Sequence, residues 1–230
     1  MSISAIQRLL PATVVSAEEF GDVDAPLFPV EDQYLVNAID KRRREFATVR
    51  ACATAVLAEF GLVRSAMVPG QQGEPSWPEG IVGSMTHCQG YRAAAAGRED
   101  LWRAIGIDAE PHESLPDGVL ELVADPGERG ELARLSTSLP RYRWDRILFS
   151  AKECVFKAWF PIARSWLGFE EATVSLDPVA LTFAARIHCA SRPISPIGET
   201  VTGRWSVYGG FILTALCLPR LERTEGDTET

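Results

Sequence analysis

VGSMTHCQGYRAAAAG (residues 82–97) and TGRWSVYGGFILTALCL (residues 202–218) decide how the chain is read. Each is an apolar run, a Gly-containing turn and a second apolar run, the pattern of a β-hairpin. Their identity is weak and their pattern is shared. Upstream of each lies one amphipathic helix. In the first half Phe46, Val49, Ala53, Val56, Leu57 and Phe60 recur at spacings of three and four until Gly61 stops them. In the second, Leu148, Ala151, Val155 and Trp159 form a stripe that begins at Trp144, and Pro161 limits or kinks the helix. Further strands are expected at 172–176 and 181–187. A helix followed by a hairpin, twice over, predicts an α+β fold made by pseudo-twofold duplication of one α/β unit, with a site between the copies. The expected division is an N-terminal lobe over 1–108, a C-terminal lobe over 109–219 and a flexible polar tail over 220–230.

Between the halves, residues 104–109 alternate. Ile105, Ile107 and Ala109 would face a core, leaving Gly106, Asp108 and Glu110 on the opposite face of a strand. Residues 16–34 are acidic and contain prolines. From 111 to 143 the chain is polar and rich in Pro and Gly, a surface segment with short helical suggestions at 119–123 and 128–135.

Composition narrows the function. The 230 residues are 46% hydrophobic and 23% charged, inside the globular range, and the formal net charge is -8. An acidic chain has no general attraction for nucleic acid or anionic membrane, so neither is an expected partner, and an anionic ligand requires a local basic cluster. Five cysteines without a CxxC pair fit neither a disulfide framework nor a structural zinc site and suggest a reduced, cytoplasmic protein. The apolar run 211–218 falls far short of the roughly 18 residues of a membrane span, and the N-terminus has no leader pattern.

Three carboxylates and one basic helix carry the candidate chemistry. Asp108 and Glu110, two apart on a strand, project from one face as two hard oxygen ligands for Mg²⁺ would, although a polar strand face has the same spacing. Glu153 is the third carboxylate, in KECVFK. Lys152 precedes it and Lys157 lies one turn on, a spacing that also describes a solvated i,i+4 ion pair. The run Lys41-Arg42-Arg43-Arg44 with Arg50 is the densest positive charge in the chain. Helical geometry sets Arg43 and Arg50 nearly in line and displaces Arg42 by about 80° from Arg50. Either set would suit a phosphate clamp. Thr86 and His87 would add a hydroxyl and an imidazole. No GxGxxG or P-loop sequence is present.

KRRREFATVR (41–50), GEPSWPEGIVGSMTHC (73–88), GIDAE (106–110) and RWDRILFSAKECVFKAWFP (143–161) occur in that order, and together they resemble the 4'-phosphopantetheinyl transferases. The likeness is to the two-lobed monomeric class that activates siderophore, polyketide and nonribosomal peptide synthases, in its enterobactin-synthetase and actinobacterial branch. It implies transfer of the 4'-phosphopantetheine group of coenzyme A to a serine of an acyl or peptidyl carrier protein, with release of 3',5'-adenosine bisphosphate. It also implies Mg²⁺, or Mn²⁺ in its place, and a monomer. By resemblance, Asp108, Glu110 and Glu153 are metal carboxylates, and Glu153 activates the serine. Asp108, Glu153 and Lys157 are catalytic, and Lys152 and Lys157 neutralise phosphate. Arg42, Arg50 and His87 hold the 3'-phosphorylated adenosine, and Gly73, Glu74 and Pro75 lie against the adenine. Relatives often carry lysines in that loop where this chain has Pro69, Gln72 and Glu74, which suggests a weaker grip or one moved to Arg43 and Arg44. Arg141 and Arg143 are candidates for docking a carrier.

Overall fold

In the computed structural model, which describes residues 4–188 and 195–220, two antiparallel sheets each carry one long helix. The tail expected from 220 lies, from 221 on, outside the described residues. The first sheet comprises β1 (Val15–Glu19), β2 (Ile81–Cys88) and β3 (Tyr91–Arg98) in the order β1-β3-β2. The second comprises β4 (Trp102–Pro111), β5 (Ala172–Asp177), β6 (Thr182–Ile187), β7 (Thr200–Tyr208) and β8 (Phe211–Pro219) in the order β4-β8-β7-β6-β5. The helices are α1 (Pro29–Tyr34), α2 (Asp40–Glu59), α3 (Val119–Val123), α4 (Pro126–Ser138) and α5 (Trp144–Ala163). This is an α+β fold.

The apolar stripes read from the sequence are the faces that pack. Cys52, Ala53, Val56 and Leu57 of α2 join Ile81, Ala94 and Ala96 of the first sheet in one core. Trp144, Leu148, Ala151, Val155 and Trp159 of α5 are all buried in the largest core, against the second sheet. Pro161 lies within the last turn of α5, and the helix ends at Arg164, which takes a left-handed φ of 50°. The hairpin from β7 to β8 turns on Gly209 and Gly210 at φ 59° and 85°, the paired left-handed residues that a two-residue turn requires.

β4 connects the two layers. Ile105, Ile107 and Ala109 enter a core with Tyr91, Ala93 and Leu213. The opposite face receives α5 at close range, because a Cβ on Gly106 would stand 2.1 Å from the carbonyl oxygen of Cys154. One edge of β4 is hydrogen-bonded to β8 from Trp102 to Pro111, so the expected division at residue 108 falls inside a strand of the second sheet. Across its other edge, where no ladder forms, the hydroxyls of Ser84 and Thr86 on β2 accept the amides of Ile107 and Ala109 at 3.1 and 3.0 Å. Alternate side chains of one strand thus satisfy alternate amides of the next.

Two elements exceed what the pattern showed. β1, with the sequence VSAEE, alternates only Val15 and Ala17 with polar residues, too short a run to stand out, and pairs antiparallel with β3. α4 starts before its apolar stripe because Asp125 accepts the Glu128 amide and Glu128 accepts the Asp125 amide, both at 2.8 Å, with Pro126 in the first turn.

Candidate active site

The close approach of α5 to β4 at Gly106 brings one polar stripe of the helix onto the end of the strand. Arg146, Ser150, Glu153 and Lys157 follow at spacings of four, three and four, the neighbours of one helix face. Lys157 Nζ donates to Asp108 Oδ1 at 2.7 Å and to the Ile107 carbonyl at 3.2 Å. The Ser150 hydroxyl donates to Asp108 Oδ2 at 2.7 Å, and the Thr86 hydroxyl reaches Asp108 Oδ1 at 3.3 Å. Arg146 Nη1 donates to Glu110 Oε2 at 2.8 Å. Glu153 stands half-buried between Ser150 and Lys157 on this stripe.

These groups hold charge at one another's expense. Burial and the neighbouring Asp108 charge push the Glu110 carboxyl up to about 7, against the pull of Arg146. Burial and Asp108 likewise raise Glu153, and Lys157 opposes them. Burial works against the ammonium of Lys157, but Asp108 and Glu153 more than offset it and its pKa lies above the ordinary lysine value. Asp108, Glu110 and Glu153 are a donor set of the hard-oxygen kind that Mg²⁺ favours. They are not a ready-made cage. Among the described residues no three carboxylate, imidazole or thiol side chains are gathered closely enough to hold an ion, and Asp108 and Glu110 are engaged by Lys157 and Arg146.

Two cavities meet at this cluster. The smaller, about 200 Å³, is lined by Arg42, Phe46, Arg50, Pro75, Thr86 and His87. Arg42 Nη1 lies 2.6 Å from His87 Nε2, and Glu45 Oε2 lies 3.7 Å from His87 Nδ1. An arginine can only donate, so the imidazole is neutral with its lone pair toward Arg42. Partial burial and the cations Arg42, Lys157 and Arg92 lower its pKa to about 4. Arg50 is buried, stacks on the Phe46 ring at 3.4 Å, and leaves its Nε without a partner. Burial lowers its pKa to about 10.

The larger cavity, about 570 Å³, has walls from Trp77, Ile105, Phe156 and Phe160 together with Glu153 and Arg164. Gly73, Pro75, Met85 and Lys157 line both cavities. The 68–75 segment roofs them. Gly73 takes a left-handed φ of 82°, and Glu74 accepts the Gln72 amide at 3.0 Å while facing Arg164 at 3.6 Å.

Asp108, Glu153, Lys157, Thr86, His87, Arg42 and Arg50 are therefore brought together, with Glu110 beside Asp108 and Gly73, Glu74 and Pro75 on the roof. Lys152 is not among them. The expectation that it joins Lys157 on phosphate gives way to a buried tether: its Nζ donates to Glu128 Oε2 at 2.8 Å and to the carbonyls of Val123 and Phe169 at 2.7 and 2.9 Å. Adjacent helical residues point about 100° apart, so Lys152 and Glu153 cannot share a face. Arg43 and Arg44 also turn elsewhere, to Asp32 at 2.7 Å and Asp22 at 3.2 Å. Ser150 and Arg146 were not singled out in the sequence. Their spacing from Lys157 along one helix face was the signal available.

Two family models match the chain. The 4'-phosphopantetheinyl transferase N-terminal domain covers residues 30–97, and the 4'-phosphopantetheinyl transferase superfamily covers 104–207. The chain is 47% identical to 4'-phosphopantetheinyl transferase Svp of Streptomyces mobaraensis over 93% of its own length and 89% of that protein. It is 45% identical to 4'-phosphopantetheinyl transferase PptT of Mycobacterium tuberculosis over 93% of its length and 97% of that protein. Against enterobactin synthase component D of Salmonella typhi the identity is 31%, over 86% and 81%. With both halves matched in order and such relatives aligned nearly end to end, the chain belongs to the 4'-phosphopantetheinyl transferase superfamily.

Proposed function

We propose that this enzyme transfers 4'-phosphopantetheine from coenzyme A to the serine of an acyl or peptidyl carrier protein and releases 3',5'-adenosine bisphosphate. The observation that carries the reading is the position of the Asp108–Lys157–Thr86 cluster between a small cationic cavity and a larger apolar one. The first suits the phosphorylated adenosine, through Arg42, Arg50 and His87. The second suits the pantetheine arm, and the pyrophosphate then lies at Lys157.

The chemistry follows from that placement. The serine oxygen attacks the β-phosphorus of coenzyme A, the bond from that phosphorus to the bridging oxygen breaks, and the electron pair leaves with the adenosine bisphosphate. Glu153, whose raised pKa suits a base, takes the serine proton. Lys157 stabilises charge on the departing phosphate, and Asp108 fixes the position of Lys157. Asp108, Glu110 and Glu153 would hold a Mg²⁺ ion, with Mn²⁺ as a substitute, and when bound it would supply Lewis-acid neutralisation of the pyrophosphate. The cytoplasm, where coenzyme A and carrier synthases meet, is the proposed location. Siderophore, polyketide and nonribosomal peptide systems are the proposed settings, and the chain acts as a monomer.

Incubation with coenzyme A, Mg²⁺ and a panel of apo carrier domains, read by intact mass, tests this directly. The expected result is gain of one phosphopantetheine on the carrier, loss of the reaction with a chelator and its return with Mg²⁺. Hydrolysis of coenzyme A with no gain of mass on any carrier would instead make the chain a phosphodiesterase.

A further inference from the structure

Glu31 lies outside the cleft, on the short helix α1, and its side chain is fully shielded from solvent. A carboxylate in that position needs partners to stay charged. It has three. Oε1 accepts from Arg64 Nη1 at 2.6 Å and from the Met67 amide at 2.8 Å, and Oε2 accepts from the Phe28 amide at 2.9 Å. Burial opposes the charge, but the amides of Met67 and Phe28 together with Arg64 outweigh it and leave the carboxyl below its ordinary value. Arg64 is tied in turn to α2, where its Nε donates to the Thr54 hydroxyl at 3.0 Å.

Met67 is held from both sides. Glu31 takes its amide, and its carbonyl accepts Arg50 Nη2 at 2.6 Å. Both consequences reach the small cavity. The Arg50 guanidinium is fixed by that carbonyl and by the Phe46 ring, leaving its unpartnered Nε buried. The 68–75 segment leaves directly from Met67 and contributes Pro69, Gly73 and Pro75 to the same cavity. Glu31 is also the charge that most supports cationic Arg50 against burial.

We propose that Glu31 is the positioning residue of the nucleotide pocket: through Met67 it fixes both the Arg50 guanidinium and the root of the 68–75 segment around the anionic adenosine end of coenzyme A. This rests on the reading of the small cavity given above. The role differs from simple support of the fold. A carboxylate that only stabilised the chain would alter the melting temperature and leave nucleotide affinity in the folded protein unchanged.

The test is Glu31→Gln, which keeps the volume and removes the charge. In the full-length protein the Kd for 3',5'-adenosine bisphosphate, by calorimetry without carrier, and the KM for coenzyme A should both rise about tenfold or more. The carrier KM and the kcat at saturating coenzyme A should stay within about twofold. Val56→Ala, a core substitution on α2 away from the clamp, serves as the control, lowering stability with no shift in nucleotide Kd. In an Arg50→Lys background the added effect of Glu31→Gln should shrink, because the two residues act through one carbonyl. If Glu31→Gln does not fold, Glu31→Asp keeps the charge, shortens its reach and should give a smaller rise of the same kind. An unchanged nucleotide Kd in a folded Glu31 variant overturns the proposal, as does a full, additive effect in the Arg50→Lys background. Failure of the unmodified protein to bind the nucleotide would be a separate result, overturning the assignment of the cavity itself.

Discussion

Asp108 is the most constrained carboxylate of the cleft, with Ser150 on one oxygen and Lys157 and Thr86 on the other. Thr86 comes from β2 and Ser150 and Lys157 from α5, so the Asp108 side chain reports the mutual position of β2, β4 and α5. Its removal should cost catalysis more than stability, because Lys157 retains the Ile107 carbonyl and the Thr86 hydroxyl at 3.2 and 3.3 Å. Asp108→Ala and Lys157→Met are each expected to lower kcat by about 10²–10³, the cost of losing one preorganised electrostatic group, with circular dichroism unchanged. Near-normal turnover in either variant would remove it from the mechanism. His87 gives a prediction in pH. Its pKa is held at about 4 in the folded chain and returns to about 6.5 on unfolding. The unfolded state therefore binds the extra proton between those values, and stability should rise with pH across that window and be lost as pH falls from 6.5 toward 4. Melting temperatures of His87→Gln measured over the same range should show a shallower fall than those of the natural chain; equal slopes would contradict the assignment.

At the scale of elements, β4 decides where the site forms. Its other edge is joined to β2 by side-chain hydroxyls, so Ser84→Ala leaves the buried Ile107 amide without an acceptor. The expected loss is about 1–3 kcal/mol, readable as a lower melting temperature; an unchanged one would mean the amide finds another partner. Gly106→Ala should be worse. The added Cβ would meet the Cys154 carbonyl oxygen at 2.1 Å and must push α5 off the strand, carrying Ser150 and Lys157 away from Asp108. Stability and turnover should fall together, and a variant that loses neither would show that the close approach is dispensable. These dependences explain what the sequence disclosed. Long helices were legible because one face of each is apolar at a fixed period, and the hairpins because two apolar runs flank a Gly-containing turn. β1 was not, because VSAEE is an edge strand whose place is set by pairing with β3. The position of Lys152 was hidden for a related reason: the helical rotation from Glu153 shows that the two diverge, but only packing shows that Glu128, Val123 and Phe169 wait on the other side. Arg43 and Arg44 were ambiguous until Asp32 and Asp22, far from them in sequence, came alongside.

For the whole molecule, net charge sets the problem of partner choice. A chain at -8 has no general attraction for an anionic partner, so attraction to one must be local. Arg141 and Arg143 are both exposed at the start of α5, the helix that carries Glu153. Arg141 rests on the Tyr142 ring at 4.7 Å and its guanidinium reaches the Tyr142 hydroxyl at 3.0 Å, which leaves it without a carboxylate partner among its hydrogen bonds to described residues. From Arg143 to Glu153 the helix rises about 15 Å, so Arg143 stands nearly three turns from that carboxylate. Changing both arginines to glutamate should therefore raise the KM for carrier about tenfold at low ionic strength and leave the KM for coenzyme A where it was. Because the two positions are exposed, the defect should shrink as salt rises and the Debye length falls below about 10 Å. The control is internal to the assay, since Arg42 and Arg50 are untouched. A carrier KM that does not change at low salt would place the docking surface elsewhere, and an equal rise for coenzyme A would mean the helix itself had moved.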